Sequence, residues 1–187
     1  MGGPGYGPRT MDTDDLEALD PARLPAGDEL ALLTRFLDYN RAVMRRKAQG
    51  LSAEQLARHL GPSEMTIGGV LKHLALVEDS WFHRRLLGQP DPEPWASVDW
   101  SADPDWEFHT AADDQPEELL RLYDVACERS RAAVREVGDL DVMAQSPNRR
   151  GEHFSLRWIL IHMIEETARH AGHADLLRES IDGATGD

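Results

Sequence analysis

A chain of 187 residues, of which 41% are hydrophobic and 29% charged, has the composition of a globular domain with one sizeable core. The formal net charge of -14 argues against a nucleic-acid or anionic-membrane partner, because phosphate binding needs clustered Lys and Arg side chains. No apolar run approaches the roughly 20 residues that span a bilayer. The single cysteine, Cys127, excludes an intramolecular disulfide, so we expect a cytoplasmic protein.

The N-terminal stretch is rich in Gly, Pro and Asp and has little periodicity. It also lacks the basic-then-apolar order of a signal peptide. We therefore expect residues 1–25 to be a flexible arm and residues 26–182 to form the folded domain.

Two helices are predicted at the start of that domain. Asp28 has the residue type of an N-cap, and the apolar spacing that follows predicts a first long helix over about 28–48. Ser52 and Gln55 form a capping-box pattern, which predicts a short helix over about 52–60.

A second long helix is predicted over about 66–87, and His73 lies beside its apolar face. Gly68 and Gly69, in its first turn, would let another backbone approach closely, although each glycine weakens the helix. The apolar face consists of Ile67, Val70, Leu71, Leu74, Val77, Trp81 and Leu86.

The segment 89–113 has no sustained periodicity and carries Trp95, Trp100 and Trp106 among prolines and acids. Its aromatic content argues against disorder. Long connections without regular structure are often functional. Two predictions stay open: the tryptophans border a pocket and help to select a substrate, or they seal one end of the fold in a crossover between parallel helices.

Two more long helices complete the pattern. The third is predicted to open at Asp113 or Asp114 and to end at Gly138, and the fourth covers Ser155–Ser180 after a polar, turn-rich linker. Because no strand-like alternation is present, the sequence predicts an all-α four-helix bundle with one long crossover loop. The apolar positions of the fourth helix are Leu156, Ile159, Leu160, Met163, Ile164, Leu176 and Leu177.

Polar side chains interrupt the apolar face of this fourth helix. Steps of four, four and three residues keep His162, Glu166, His170 and His173 within a narrow stripe. Imidazole and carboxylate groups are costly to bury unless a partner satisfies them, and a divalent metal ion is such a partner. Glu166 and His170 can converge on one ion, with a third ligand from elsewhere, for which His73 is the candidate. From spacing alone, histidines without a metal are an equal alternative.

Other chemistry has weaker support. The zinc-protease pattern His-Glu-x-x-His is absent, and no two helices carry the Glu-x-x-His pairs of a di-iron bundle. Cys127 lies on an apolar helix face, which predicts a buried, inert thiol. Arg149 and Arg150 are expected to be surface charges, with contact to an acidic substrate as the alternative. Four histidines lack partner spacing and are expected to be solvated or locally bonded: His59, His83, His109 and His153.

The stretches LKHLALVE and HMIEETARHAGHADLLRE resemble the DinB-like superfamily of metal-dependent four-helix proteins, which includes mycothiol-dependent maleylpyruvate isomerase and the bacillithiol and mycothiol S-transferases. The resemblance implies that His73, Glu166 and His170 are the metal ligands. It leaves His162 and His173 as outer-sphere or substrate-contacting residues. Glu at the middle position is similar to the isomerase branch, whereas Ala171-Gly172 replaces the family's common Arg-Gly dipeptide. The matching positions are His73-Leu74, His162, Glu166, His170, Gly172 and Leu176-Leu177.

The resemblance also implies a chemistry. A divalent ion, with zinc favoured and nickel or another ion open, would hold a low-molecular-weight thiol of the mycothiol type and lower its pKa. The implied function is a thiol S-transferase or a thiol-dependent isomerase whose second substrate is an electrophile. The alternatives are a metal-binding stress or partner-binding protein without this activity, or a hydrolase that activates water. The resemblance leaves a homodimer open.

Overall fold

The computed structural model describes residues 12–148 and 150–185, and these residues form an all-helical fold, as predicted. Their β pairing is confined to an isolated antiparallel bridge between Met143 and Ser155. The α-helices are α1 (Thr13–Leu19), α2 (Glu29–Ala48), α3 (Ala53–Leu56), α4 (Ile67–Glu78), α5 (Trp106–Thr110), α6 (Pro116–Val137) and α7 (Leu156–Asp182). A π-helical segment, Asp79–Leu86, continues α4, and short 3₁₀ turns lie at Pro21–Arg23, Trp95–Ser97 and Ala111–Asp113.

The four long helices α2, α4, α6 and α7 form a bundle with an up-down-down-up order. Helices α2 and α7 run parallel, because Glu29 pairs with Arg157 near their N-terminal ends (2.7 Å) and Lys47 pairs with Asp175 nearer their C-terminal ends (2.5 Å). Helix α4 runs opposite to α2 and in the same direction as α6. The long connection between α4 and α6 is therefore a crossover between parallel helices, which confirms the predicted four-helix architecture.

The core lies where the apolar stripes of the four long helices meet, in two main clusters at successive levels of the bundle. Leu71, Tyr123 and Leu177 are buried in one, and Phe82, Val134 and Ile159 in the other. Leu176 was predicted to belong to this face, but its side chain is 58% exposed. A rotation of about 100° per residue turns Leu176 toward solvent once Leu177 is buried.

The structure differs from the expected flexible arm between residues 12 and 24. Asp12 caps α1 by accepting a hydrogen bond from the Asp15 backbone N–H (2.9 Å), and Leu16 is buried against α2. A helix of seven residues, about two turns, with a single buried residue is too short to produce a readable period, so the sequence pattern does not indicate it. Residues 1–11 and Arg149 lie outside the described residues, and Arg150 is exposed.

Helix α4 does not continue as a regular α-helix to residue 87. From Asp79 the backbone changes to π-helical bonding, with the Leu87 N–H donating to the Phe82 carbonyl five residues earlier (3.3 Å). In this segment Phe82 and Leu86 are buried, and Trp81 faces α7. Such segments occur often at functional sites.

Other boundaries shift modestly. The N-cap of α6 is Gln115 rather than Asp113 or Asp114, and its backbone N–H bonds the Glu118 carboxylate (3.1 Å). The short predicted helix is limited to Ala53–Leu56. Among the described helices, none combines the length and apolar character that a membrane crossing requires.

Candidate metal centre

Antiparallel packing of α4 against α7 brings the three predicted ligands together. His73 Nε2 lies 3.5 Å from Glu166 Oε1, and His170 Nε2 lies 3.3 Å from the same oxygen. One potential ligand atom from each residue lies within 4.8 Å of the others. The side chains of His73, Glu166 and His170 are 22%, 15% and 10% exposed, so the cluster is largely shielded but still reached by solvent.

The donor set fits a divalent transition-metal ion. Two imidazole nitrogens and one carboxylate oxygen form a common three-ligand set for zinc with a fourth position open. In a tetrahedral site with bonds of about 2.1 Å, neighbouring ligand atoms lie about 3.4 Å apart. The separations of 3.5 and 3.3 Å between Glu166 and the two histidines match that spacing.

Glu107 of α5 orients the His73 ring. His73 Nδ1 donates to Glu107 Oε1 (2.8 Å), which leaves Nε2 directed toward Glu166, and Phe108 stacks on the ring at 4.9 Å between centroids. A carboxylate on the second nitrogen of a metal-binding histidine fixes the tautomer and raises its basicity. The sequence pattern does not indicate Glu107, because this residue lies in an irregular segment 34 residues from His73 without a spacing signal.

The glycine pair in α4 makes this arrangement possible. A Cβ atom on Gly69 would lie 2.9 Å from Phe108 Cδ1, and one on Gly68 would lie 3.2 Å from the Leu56 carbonyl oxygen. The predicted close approach of another segment at this turn is confirmed.

Electrostatics favour a neutral His170. Burial lowers the pKa of His170 and the neighbouring His73 lowers it further, while Glu166 acts in the opposite direction. A histidine must be unprotonated at the nitrogen that binds a metal, so a lowered pKa keeps it ready for ligation near neutral pH. The buried Nδ1 atoms of His170 and His173 have no hydrogen-bond partner among the described residues.

His162 and His173 flank the three residues without joining them. The His162 ring stacks on Trp158 (5.0 Å) and meets the edge of Trp81 (4.8 Å). Burial lowers the pKa of His162, against the effect of Glu166, which raises it. The His173 ring lies 5.5 Å from that of His170.

The tryptophan-bearing segment reaches this centre through other side chains. Trp95 is buried and donates its indole N–H to Asp79 (2.8 Å), and Trp106 packs edge-on against Trp95 and Trp100. These contacts pack Trp95, Trp100 and Trp106 against one another and against the core, and the two predictions for this segment stay predictions. Glu107 and Phe108, in the same segment, are the residues that border the candidate ligands.

Two other features lie away from the centre. The Cys127 thiol is buried, as predicted, and burial together with the Glu78 charge raises its pKa well above the usual value. A groove of about 1020 Å³ between α1, α2 and α6 includes Cys127 and many charged side chains, but none of the three candidate ligands lines it. Several of its charges are already paired, such as Arg45 with Asp124 (2.9 Å).

Comparison with known proteins identifies a family and a shared fold. A family model described as mycothiol-S-transferase matches residues 32–183. The crystal structure of the mycothiol-dependent maleylpyruvate isomerase shares the fold, with a TM-score of 0.56 at 16% identity, over 76% of this chain and 59% of that one. The chain thus spans less than two thirds of that protein's length. No curated protein matches the chain.

Proposed function

The chain belongs to the mycothiol-S-transferase family within the DinB-like superfamily, and on that premise we propose that it is a metal-dependent S-transferase. Its substrates would be a low-molecular-weight thiol of the mycothiol type and a small electrophile. The observation that carries the proposal is the convergence of His73, Glu166 and His170, with Glu107 holding the first of them.

His73, Glu166 and His170 would hold the ion. Bound there, a zinc-type ion would supply an open coordination position and a positive charge that lowers the pKa of a thiol. Glu107 keeps the His73 Nδ1 proton in place and so leaves Nε2 unprotonated for the ion. The buried Cys127 is unsuited to be the nucleophile, so the thiol comes from the cosubstrate.

The transfer forms one carbon–sulfur bond. The thiol loses its proton to solvent, the sulfur attacks the electrophilic carbon, and the leaving group departs with its electron pair. An isomerase would instead add the thiol to a double bond and release it unchanged. Measuring thiol consumption therefore separates transfer, which uses one thiol per product, from isomerisation and from hydrolysis, which use none.

The test combines metal content with turnover. We expect the protein to bind one divalent ion per chain and to consume mycothiol in the presence of 1-chloro-2,4-dinitrobenzene or iodoacetamide. A double His73→Ala, His170→Ala variant should lose both properties. His59→Ala, which removes an exposed histidine, is the matched control and should keep them. Undiminished metal in the double variant would refute the assigned ligands, and metal-loaded protein that consumes no thiol would refute the transferase.

A further inference from the structure

Four aromatic rings lie next to the candidate metal centre, along the same two facing helices. We name these rings the aromatic wall: Trp81, Phe154, Trp158 and His162. Phe154 stacks on Trp158 at 4.1 Å, and Trp158 stacks on His162 at 5.0 Å. Trp81 meets Phe154, Trp158 and His162 at 5.4, 5.3 and 4.8 Å.

Along both α7 and the continuation of α4, the aromatic wall lies next to the candidate ligands. On α7, Trp158, His162 and Glu166 are spaced four residues apart, which is about 6 Å per step along one helix face. On the opposite side, Trp81 follows His73 by eight residues. Because α4 and α7 are antiparallel, the two stripes run alongside each other from the ligands to the rings.

The exposure of Trp158 is unusual for its contacts. Its side chain is 42% exposed although it is stacked on two rings, whereas Trp95 in the core is 1% exposed. Trp81, in the π-helical segment Asp79–Leu86, faces the same surface through its contacts with Trp158 and His162. Because Phe154 and His162 already stack on Trp158, the accessible part of this ring offers apolar surface for an edge-on or offset contact with another planar ring.

We propose that the aromatic wall binds the electrophile and makes the protein select planar, apolar electrophiles. The inference rests on the proposed S-transferase function. The wall suits this substrate better than the thiol, because a mycothiol-type thiol carries many hydroxyl groups that need hydrogen-bond partners. Ring nitrogens of His162 and the two indoles are the few polar atoms that the wall offers.

For a planar substrate such as 1-chloro-2,4-dinitrobenzene the chemistry balances without a further reactant. The thiol sulfur forms a bond to the ring carbon that carries chlorine, and chloride leaves with the electron pair of the broken bond. The thiol proton goes to solvent. The role of the wall is to hold the ring plane beside the centre.

Kinetics of Trp158→Ala test the selection. We expect the KM for 1-chloro-2,4-dinitrobenzene to rise at least about fivefold while turnover of the compact, non-aromatic iodoacetamide and metal content stay unchanged. Trp158→Phe should restore most of the preference. The control is Phe36→Ala, which removes a ring of similar exposure (45%) from α2 and none of the four wall rings. Equal effects on both electrophiles would overturn the proposal, and so would a raised KM for the thiol alone.

A binding measurement decides the inference even if the protein proves not to be a transferase. Equilibrium dialysis with 1,3-dinitrobenzene, which is planar and has no leaving group, should show at least about fivefold weaker binding to Trp158→Ala than to the wild type or Phe36→Ala. Unchanged binding in Trp158→Ala would refute the aromatic wall as the binding surface. Weakened binding without any thiol consumption would uphold the wall and refute only the proposed transferase.

Discussion

Two polar clusters in this bundle place carboxylates in shielded positions, and they differ in the groups that face those carboxylates. In the first, the fully buried Glu78 bonds both nitrogens of one edge of the Arg41 guanidinium at 2.7 and 2.6 Å, and Asp79 bonds Arg129 in the same manner. In the candidate metal centre, two carboxylates, Glu107 and Glu166, meet imidazole rings instead.

The difference lies in where the positive charge comes from. Each carboxylate of the first cluster has its own guanidinium from a neighbouring helix, so the cluster is electrically complete and joins α2, α4 and α6. At the centre, the lowered pKa of His170 disfavours its cation, and the exposed Arg169 reaches Glu166 only at 3.5 Å. Under the proposed function a divalent ion would supply the missing charge, so we expect the first cluster to serve stability and the second to serve metal binding.

The largest expected effect contrasts these two clusters directly. Glu78→Gln leaves Arg41 buried without its main counter-charge and should cost about 3 kcal/mol of unfolding free energy, with or without added zinc. Glu166→Gln should change the stability of the metal-free protein by about 0.5 kcal/mol. It should, however, abolish the gain that zinc gives the wild type, which is about 2.7 kcal/mol at 100 times the Kd.

Urea denaturation of the wild type and both variants, with chelator and with excess zinc, measures these differences. His59→Ala controls for nonspecific effects of losing a surface group. An equal zinc response in wild type and Glu166→Gln would show that the second cluster does not depend on a metal for its charge balance.

The second prediction concerns Glu107, which would affect the metal ion only indirectly, by orienting the His73 ring. Glu107→Gln removes the charge that fixes the His73 tautomer and should weaken metal affinity 10- to 100-fold, as is typical of such positions. Competition with a chromophoric chelator measures the affinity. Glu93→Gln, which alters an acid in the same connection away from His73, should leave it unchanged. If Glu107→Gln binds metal as tightly as the wild type, Glu107 is only a packing residue.

The third prediction concerns the close approach of α5. Gly69→Ala gains helix propensity but forces Phe108 away from a contact of 2.9 Å, so a net loss of about 1 kcal/mol is expected. Metal affinity should also fall, because Phe108 stacks on His73. Gly172→Ala is the control: its new Cβ meets nothing within 4 Å, so this variant should gain about 0.5 kcal/mol. Thermal denaturation that shows Gly69→Ala to be stabilised would contradict this packing argument.

The smallest expected effect is the pH dependence of the metal-free centre. Because burial, and next the His73 charge, lowers the pKa of His170 while Glu166 opposes them, the unfolded state binds more protons than the folded state just below pH 6.5. The contribution of neutral His170 to the free energy of unfolding is therefore fully present above that pH. It declines as the pH falls toward the pKa of His170 in the folded state. Denaturation between pH 8 and 5 should show this decline, and His170→Gln should flatten it. An unchanged slope in that variant would assign the proton uptake to other groups.

Local periodicity in the sequence was sufficient to predict the four long helices and the polar stripe that holds Glu166 and His170. Glu166 and His170 are one helical turn apart, so their proximity follows from the helix alone. His73 could be added as the third candidate ligand because its place beside an apolar helix face, together with the family resemblance, selected it among the histidines. The outcome for Cys127 followed from the same argument about a helix face.

Only the tertiary structure decided which residues complete the centre. Glu107 lies 34 residues from His73, and its approach depends on a crossover path between parallel helices that no local pattern specifies. The aromatic wall joins Trp81, in the π-helical continuation of α4, to Trp158 of α7 and to Phe154 just before α7. Spacing along one helix fixes which side chains share a face, whereas packing between distant segments fixes what that face meets.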